Sequence, residues 1–139
     1  MKLYVKITFG VVVFMAVAGI GTGLYLFNMK PENLSRNNPD FVMTSTDLQK
    51  NFEDNEGAAT AKYNGKVIEV SGEVSAVKPG ENSSVNISLK TGNALSSVIC
   101  TFPAANTPAG AEPGKQIVIR GVCSGYLLDV LLNNCAVTK

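Results

Sequence analysis

The chain has no histidine, no tryptophan and only three cysteines in 139 residues. Without histidine, the side chain that most often serves as a general base near neutral pH is missing, and with it the serine–histidine triads. Neither a P-loop nor a dinucleotide-binding glycine fingerprint is present. Charged residues make up 17 % of the chain and nearly cancel, at a net +1, so no basic field exists to attract nucleic acid or anionic lipid. A structural zinc site takes four ligands, usually cysteine and histidine. Three separated cysteines without histidine do not complete one. The paired carboxylates that do occur, Glu69 with Glu73, and Glu53 with Asp54 and Glu56, read as solvated faces. The sequence therefore gives no reason to expect an enzyme, a cofactor or a metal.

What is present starts at the amino end. Ile7 to Phe27 is a run of 21 residues without a charge, flanked by Lys2, Lys6 and Lys30. A bilayer core takes about 20 apolar residues as a helix. Thr8 and Thr22 are tolerable inside it because a threonine hydroxyl can bond back to its own helix. Residues 1–28 thus read as a short tail and a transmembrane anchor at residues 7–27. The alternative is a cleaved signal peptide, leaving a periplasmic protein, because Ala16-Val17-Ala18 fits a small-x-small cleavage rule. An uncleaved anchor is preferred, because the chain stays apolar through Phe27 and no polar stretch precedes the cut. No cysteine lies near residue 20, which excludes a lipoprotein cut. Lys2, Lys6 and the terminal amine, against Lys30 and Arg36 beyond the run, favour the N-terminus inside and the remainder extracytoplasmic.

Residues 29–40, with two prolines and three asparagines, read as a linker. Residues 41–139 then form one small domain by length, with eight basic and nine acidic residues. It opens on a helix signal, where Thr46 and Gln49 have capping-box spacing. Gly57 predicts a kink or two short helices. Asn64-Gly65 supplies a helix stop. From Lys66 the pattern alternates. Ile68, Val70 and Val74 share one face, as do Val85, Ile87 and Leu89, then Val98, Cys100 and Phe102, then Ile117, Ile119 and Cys123, with "DVLLNNCAV" as a last strand. Five half-buried strands with short loops close into a small barrel or a sandwich. Gly72 and Gly121, mid-strand, mark expected bends or bulges.

Two segments in combination, K-Y-x-x-K-x-I-E-V-x-G at Lys62 to Gly72 and G-x-C-x-G…D-V-x-L…C at Gly121 to Cys135, resemble the bacterial tRNA_anti-like proteins, from about Thr46 to the C-terminus. The resemblance implies a mainly β fold with one or two N-terminal helices: a five-stranded OB-fold Greek-key barrel with a helix packed beneath it, here preceded by the single transmembrane helix. It carries no agreed biochemical function.

OB barrels that bind single strands place aromatic side chains on the outward face of the second and third strands, over a positive groove. The corresponding outward residues are Asn86, Ser88, Lys90, Ser97, Ile99 and Thr101, none of them aromatic. Nucleic-acid binding is accordingly the alternative, and not the leading, reading. The leading one is a membrane-tethered exported module that binds an envelope protein or glycan through its loops. Tyr126, Leu127 and Leu128 are the candidate binding loop, and a cap over the barrel end is the plainer account of them.

For the cysteines, an exported location favours a disulfide. A hairpin turning near residues 125–128 puts Cys123 opposite about Val130 and Cys135 opposite about Val118, too far out of register for a bridge. The parallel third and fifth strands of an OB barrel would instead bring Cys100 towards Cys135. A bulge at Asn133-Asn134 would restore Cys123 as the rival partner. Three reduced, buried thiols are the remaining alternative.

Overall fold

A computed structural model describes residues 2–27 and 33–138. Residues 1, 28–32 and 139 lie outside the described residues, and with them Lys30 on the outer flank of the anchor and the first part of the expected linker. The chain divides into two compact units, Met1–Pro31 and Glu32–Lys139.

The first unit is helix α1, Lys2–Phe27. Its segment Tyr4–Tyr25 is long and apolar enough to cross a membrane. At 1.5 Å per residue, its 26 residues extend about 39 Å, longer than a hydrocarbon core of about 30 Å. Thr8 Oγ1 donates to the carbonyl of Tyr4 at 3.0 Å and Thr22 Oγ1 to that of Ala18 at 2.9 Å, so neither hydroxyl is left unpaired in the apolar run.

The second unit is built on six strands: β1 (Phe41–Thr44), β2 (Val67–Pro79), β3 (Val85–Lys90), β4 (Ser97–Phe102), β5 (Gln116–Leu127) and β6 (Asp129–Val137). They run in the order β1-β2-β3-β4-β6-β5, and a β2–β5 pairing closes β2 to β6 into a five-stranded barrel. Alternation works as expected. Ile68, Val70, Val74, Ile87, Leu89, Val98, Cys100, Phe102 and Ile119 are all fully buried inside. β4 and β6 run parallel, and every other neighbouring pair within the barrel is antiparallel.

Helices α2 (Ser45–Asp54) and α3 (Glu56–Tyr63) precede the barrel. The break falls at Asn55. Its amide bonds to the Asn51 carbonyl to finish α2, and its Oδ1 accepts from the Ala58 amide to start α3. The N-cap of α2 is Thr44, whose Oγ1 accepts from the Asp47 amide at 3.1 Å. The Thr46–Gln49 capping box therefore does not form. Thr44 ends β1 in an extended conformation and so occupies the cap position two residues earlier. Leu48, Phe52, Ala59 and Tyr63 put the apolar faces of the helices into the core.

Two elements had no expectation in the sequence, one at the start of the domain and one within the expected linker. β1 runs parallel to β2, with Phe41 opposite Ile68, and Asp40 Oδ2 accepts from the Val67 amide at 2.9 Å. Before it, a 3₁₀ turn at Leu34–Arg36 buries Leu34. Arg120 holds this turn. Its Nε donates to Glu69 Oε2 at 2.7 Å, and its Nη1 donates to the carbonyls of Ser35 and Asn37.

The two mid-strand glycines serve close approach, and Gly121 also faces a bulge, the β5–β6 register shifting between Arg120 and Val122 as expected there. A Cβ on Gly72 would lie within 2.4 Å of Ser45 Oγ, and one on Gly121 within 2.6 Å of Cys135 Sγ. The bulge in β2 lies between Val74 and Ala76 instead.

Candidate binding end of the barrel

One end of the barrel is assembled from three elements: α2, the β3–β4 loop at residues 91–96, and the tip of the β5–β6 hairpin. Because β4 and β6 are parallel, both start here. Asp129 Oδ1 locks the two starts together, accepting from the Ser97 amide at 2.7 Å and the Ser97 hydroxyl at 3.1 Å. Glu53 of α2 ties in the loop. Its Oε1 accepts from Gln49 Nε2, Asn93 Nδ2 and Ser96 Oγ at 3.1–3.3 Å. The bonds from Gln49 and Asn93 are the main reason its carboxyl is held below the ordinary value. Gln49, itself buried, also donates to the carbonyl of Leu128 at 2.9 Å.

The hairpin turns on Leu128 alone. Leu127 pairs with Asp129, Tyr126 with Val130 and Cys123 with Leu132. The expected registers, Cys123 to Val130 and Cys135 to Val118, are thus corrected. The turn is tighter and lies closer to Asp129 than a loop over residues 125–128. Leu128 adopts φ +71°, a left-handed conformation that is unusual for leucine.

This geometry divides the three candidate loop residues. Tyr126 belongs to β5 and is partly buried, its ring stacked on Phe52 at 5.2 Å. Leu127 and Leu128 stand 80 % and 60 % exposed. In the adjoining loop Leu95 is 81 % exposed, a residue that sequence reasoning passed over because "TGNALS" reads as an ordinary polar turn. Beside Leu95 a cavity of about 520 Å³ opens between Ser75, Lys90, Asn93, Ser97 and Asp129. Its one cation, Lys90, is paired with Glu73, and Asp129 is engaged by Ser97. No aromatic residue lines it.

The outward face of β3 and β4 is equally short of binding chemistry for an anionic strand. Thr101 Oγ1 donates to Asn86 Oδ1 at 2.8 Å, Ser88 and Ile99 are uncharged, and Lys90 on the same face is paired with Glu73. Phe41, Phe52, Tyr63 and Tyr126 instead pack on one another beneath the helices. Among the described residues, no group of three or more cysteine, histidine, aspartate or glutamate side chains is placed to hold a metal ion.

All three cysteines are buried free thiols. Burial pushes the Cys123 thiol up, partly offset by a bond with the Gly125 backbone. The Cys135 thiol is pushed well up, by burial first and then by its interaction with the Cys100 thiol. It also donates to the Leu132 carbonyl at 3.4 Å.

The tRNA_anti-like family model matches residues 1–137. The chain belongs to the tRNA_anti-like family. Of solved structures, it is similar to a "putative nucleic acid-binding lipoprotein" from Klebsiella pneumoniae, with a TM-score of 0.60 and 18 % identity, over 70 % of this chain and 91 % of that one. A chain from the structure of yeast Stn1 and Ten1 aligns with a TM-score of 0.46 and 13 % identity, over 77 % of this chain and 66 % of that one. No curated protein sequence matches. At such identities the likeness is one of fold. For this tRNA_anti-like chain the fold is an OB barrel whose helices come before the first barrel strand.

Proposed function

We propose that this protein is a membrane-tethered, extracytoplasmic OB-fold module that binds a protein of the cell envelope through the β5–β6 hairpin tip and the adjoining 91–96 loop. The observation that carries the reading is the pair Leu127 and Leu128, exposed at 80 % and 60 % on a tip whose backbone is fixed. The Gln49 bond to the Leu128 carbonyl and the Phe52–Tyr126 stack hold the tip from below. Burying one exposed leucine side chain against a partner is worth about 1.5–3 kcal/mol, and a rigid tip loses little conformational freedom in doing so. A protein suits this surface better than a glycan, because aliphatic side chains fill apolar pockets, and the cavity beside Leu95 offers no aromatic ring for a sugar to stack on. The apolar helix α1 supports the tether, and Lys2 and Lys6 in its first turns support an extracytoplasmic domain.

A photo-crosslinking amino acid at position 127, activated in intact cells, is expected to give a discrete adduct with an envelope protein. The same group at Val42, exposed on β1, serves as the control. No adduct at 127, or the same adducts as at 42, would count against the reading.

The description of the Klebsiella protein raises the alternative that this chain also binds nucleic acid. Single-strand binding draws on stacked aromatics and a positive groove, whereas here the only cation of the cavity is ion-paired. Anisotropy with a labelled single-stranded oligonucleotide is expected to show no saturable binding at low salt. Micromolar binding with a steep salt slope would displace the protein-binding reading.

A further inference from the structure

We infer that Cys100 and Cys135 are a disulfide-forming pair, joined during export, with Cys123 left as a thiol. The inference rests on the extracytoplasmic location proposed above, because disulfides persist in oxidising compartments.

Strand order reduces the pairings. β4 and β5 flank β6 on opposite sides. Cys100 and Cys123 therefore lie on strands that are not neighbours, about 8 Å apart across the closed five-stranded ring, beyond the Cα separation of roughly 4.4–6.8 Å that a bridge allows. Cys135 lies on the strand between them and is the partner open to either. Register by itself does not choose, because Cys100 and Cys123 both stand opposite Leu132. The local geometry does choose. From Leu132 the chain steps through Asn133 to Asn134, which sits at φ +52°, and two residues of β6, Asn134 and Cys135, match one of β5, Gly121, between the Arg120–Ala136 and Val122–Asn133 pairs. This bulge turns Cys135 into the barrel, against the alternation set by Val130 and Leu132. Its sulfur then meets the Cys100 thiol and the Thr101 amide on the β4 side. On the β5 side the sulfur lies against Gly121, whose missing Cβ leaves it room, since a Cβ there would come within 2.6 Å of it, and no thiol stands at that position. Cys123 makes its own bond with the Gly125 backbone.

Both sulfurs are inaccessible once the barrel has closed, so the bond forms before closure. The oxidant is a dithiol–disulfide oxidoreductase in its disulfide form. Cys100, exported first, attacks one donor sulfur as a thiolate, forming a mixed disulfide and releasing the other donor sulfur as a thiolate. When Cys135 arrives, its thiolate attacks the Cys100 sulfur, closes the Cys100–Cys135 bond and expels the remaining donor thiolate. Two protons and two electrons pass to the donor, which leaves as a dithiol.

The test is made on the full chain in membranes from acid-quenched cells, denatured without reductant and labelled with a mass-adding maleimide. One label is expected on the wild-type chain, none on Cys123→Ser, and three after prior reduction. Digestion without reductant by trypsin, which cuts after Lys90, Lys115 and Arg120, together with chymotrypsin, which cuts after Tyr126, puts the three cysteines on separate peptides. The expected linked pair joins the Cys100 and Cys135 peptides. A link containing Cys123, or two labels on Cys123→Ser where the wild type carries one, would overturn the pairing. A parallel sample, the detergent-purified full chain, is reduced, unfolded and refolded in a glutathione redox buffer. Free thiols there as well as in membranes would overturn the inference. A Cys100–Cys135 link there, with three free thiols in membranes, would uphold the pairing and overturn the location on which its formation in cells rests.

Discussion

The two ends of the β5–β6 hairpin are built to opposite standards. At its base, Gly121, Leu132 and Cys135 interlock so closely that an added methyl group would meet atoms at 2.6, 3.0 and 3.3 Å. At its tip, two leucines lie in solvent on a backbone fixed just as firmly. The same fifteen-residue stretch, residues 121–135, thus has one end where every contact is already made inside the chain and one where apolar surface is left unused. A packed base sets the barrel's shape and stability. A rigid, unburied tip contributes almost nothing to stability and is free to be selected for contact with something else.

The contrast can be broken most forcefully beneath the tip. Phe52→Ala removes a fully buried ring that supports both the core and Tyr126, and is expected to cost about 4 kcal/mol, read from urea unfolding of the full chain in detergent. A loss below about 1 kcal/mol would mean that the helices only lean on the barrel. Gly121→Ala strikes the base itself. Overpacking against Cys135 and the Asn133 carbonyl is expected to cost about 2 kcal/mol, and a neutral result would show that the base can relax.

Acid should act at the tip side. The Glu53 carboxyl lies below its ordinary value because its charged form accepts bonds from Gln49, Asn93 and Ser96. Its contribution is therefore present above the unfolded value and is lost as pH falls through the lower folded value. Amides of residues 93–96 should exchange faster with solvent as pH falls below the ordinary glutamate value, and Glu53→Gln should remove that dependence. Identical profiles for the two proteins would show that the carboxylate does not hold the loop. Smallest of all in stability is Leu127→Ser with Leu128→Ser, expected within about 0.5 kcal/mol of wild type. With the photo-crosslinking amino acid moved to position 95 in the adjoining loop, the same double change should abolish the adduct. An unfolding effect above 2 kcal/mol would make the tip part of the core and erase the comparison.

Period-2 alternation was enough to find the five barrel strands and most of their buried residues, because the inward positions are filled by Ile, Val, Leu, Phe or Cys while most of their neighbours are polar or glycine, Val67, Ile99, Val118 and Leu131 being exceptions. The family resemblance turned those strands into an OB barrel. Reading failed where the signal is short or local. β1 has four residues and follows an asparagine- and proline-rich stretch, and Leu34 is a single apolar side chain in polar surroundings, so neither carries a period. The hairpin register failed because the turn puts a leucine, not Gly125, at its centre, in a backbone conformation that leucine seldom adopts. The division of Tyr126 from Leu127 and Leu128 was out of reach for a related reason. A run of three large apolar residues looks alike whether it faces the core or solvent, and only the position of Phe52 decides which one goes in. The bulge at Asn133-Asn134 could be anticipated as a possibility of the sequence, but its consequence, Cys135 facing Cys100, needed the strand order.

The grip of Arg120 on the Ser35 and Asn37 carbonyls gives the domain an order of mechanical loading. A tug arriving from the amino side meets the guanidinium before it meets β1, and Glu69 on β2 anchors that guanidinium through Nε. Force is thereby shared between β5 and β2, two strands of the closed ring. Only when Arg120 lets go does the load reach β1, whose parallel pairing with β2 then resists by sliding along its whole length rather than by opening one bond at a time.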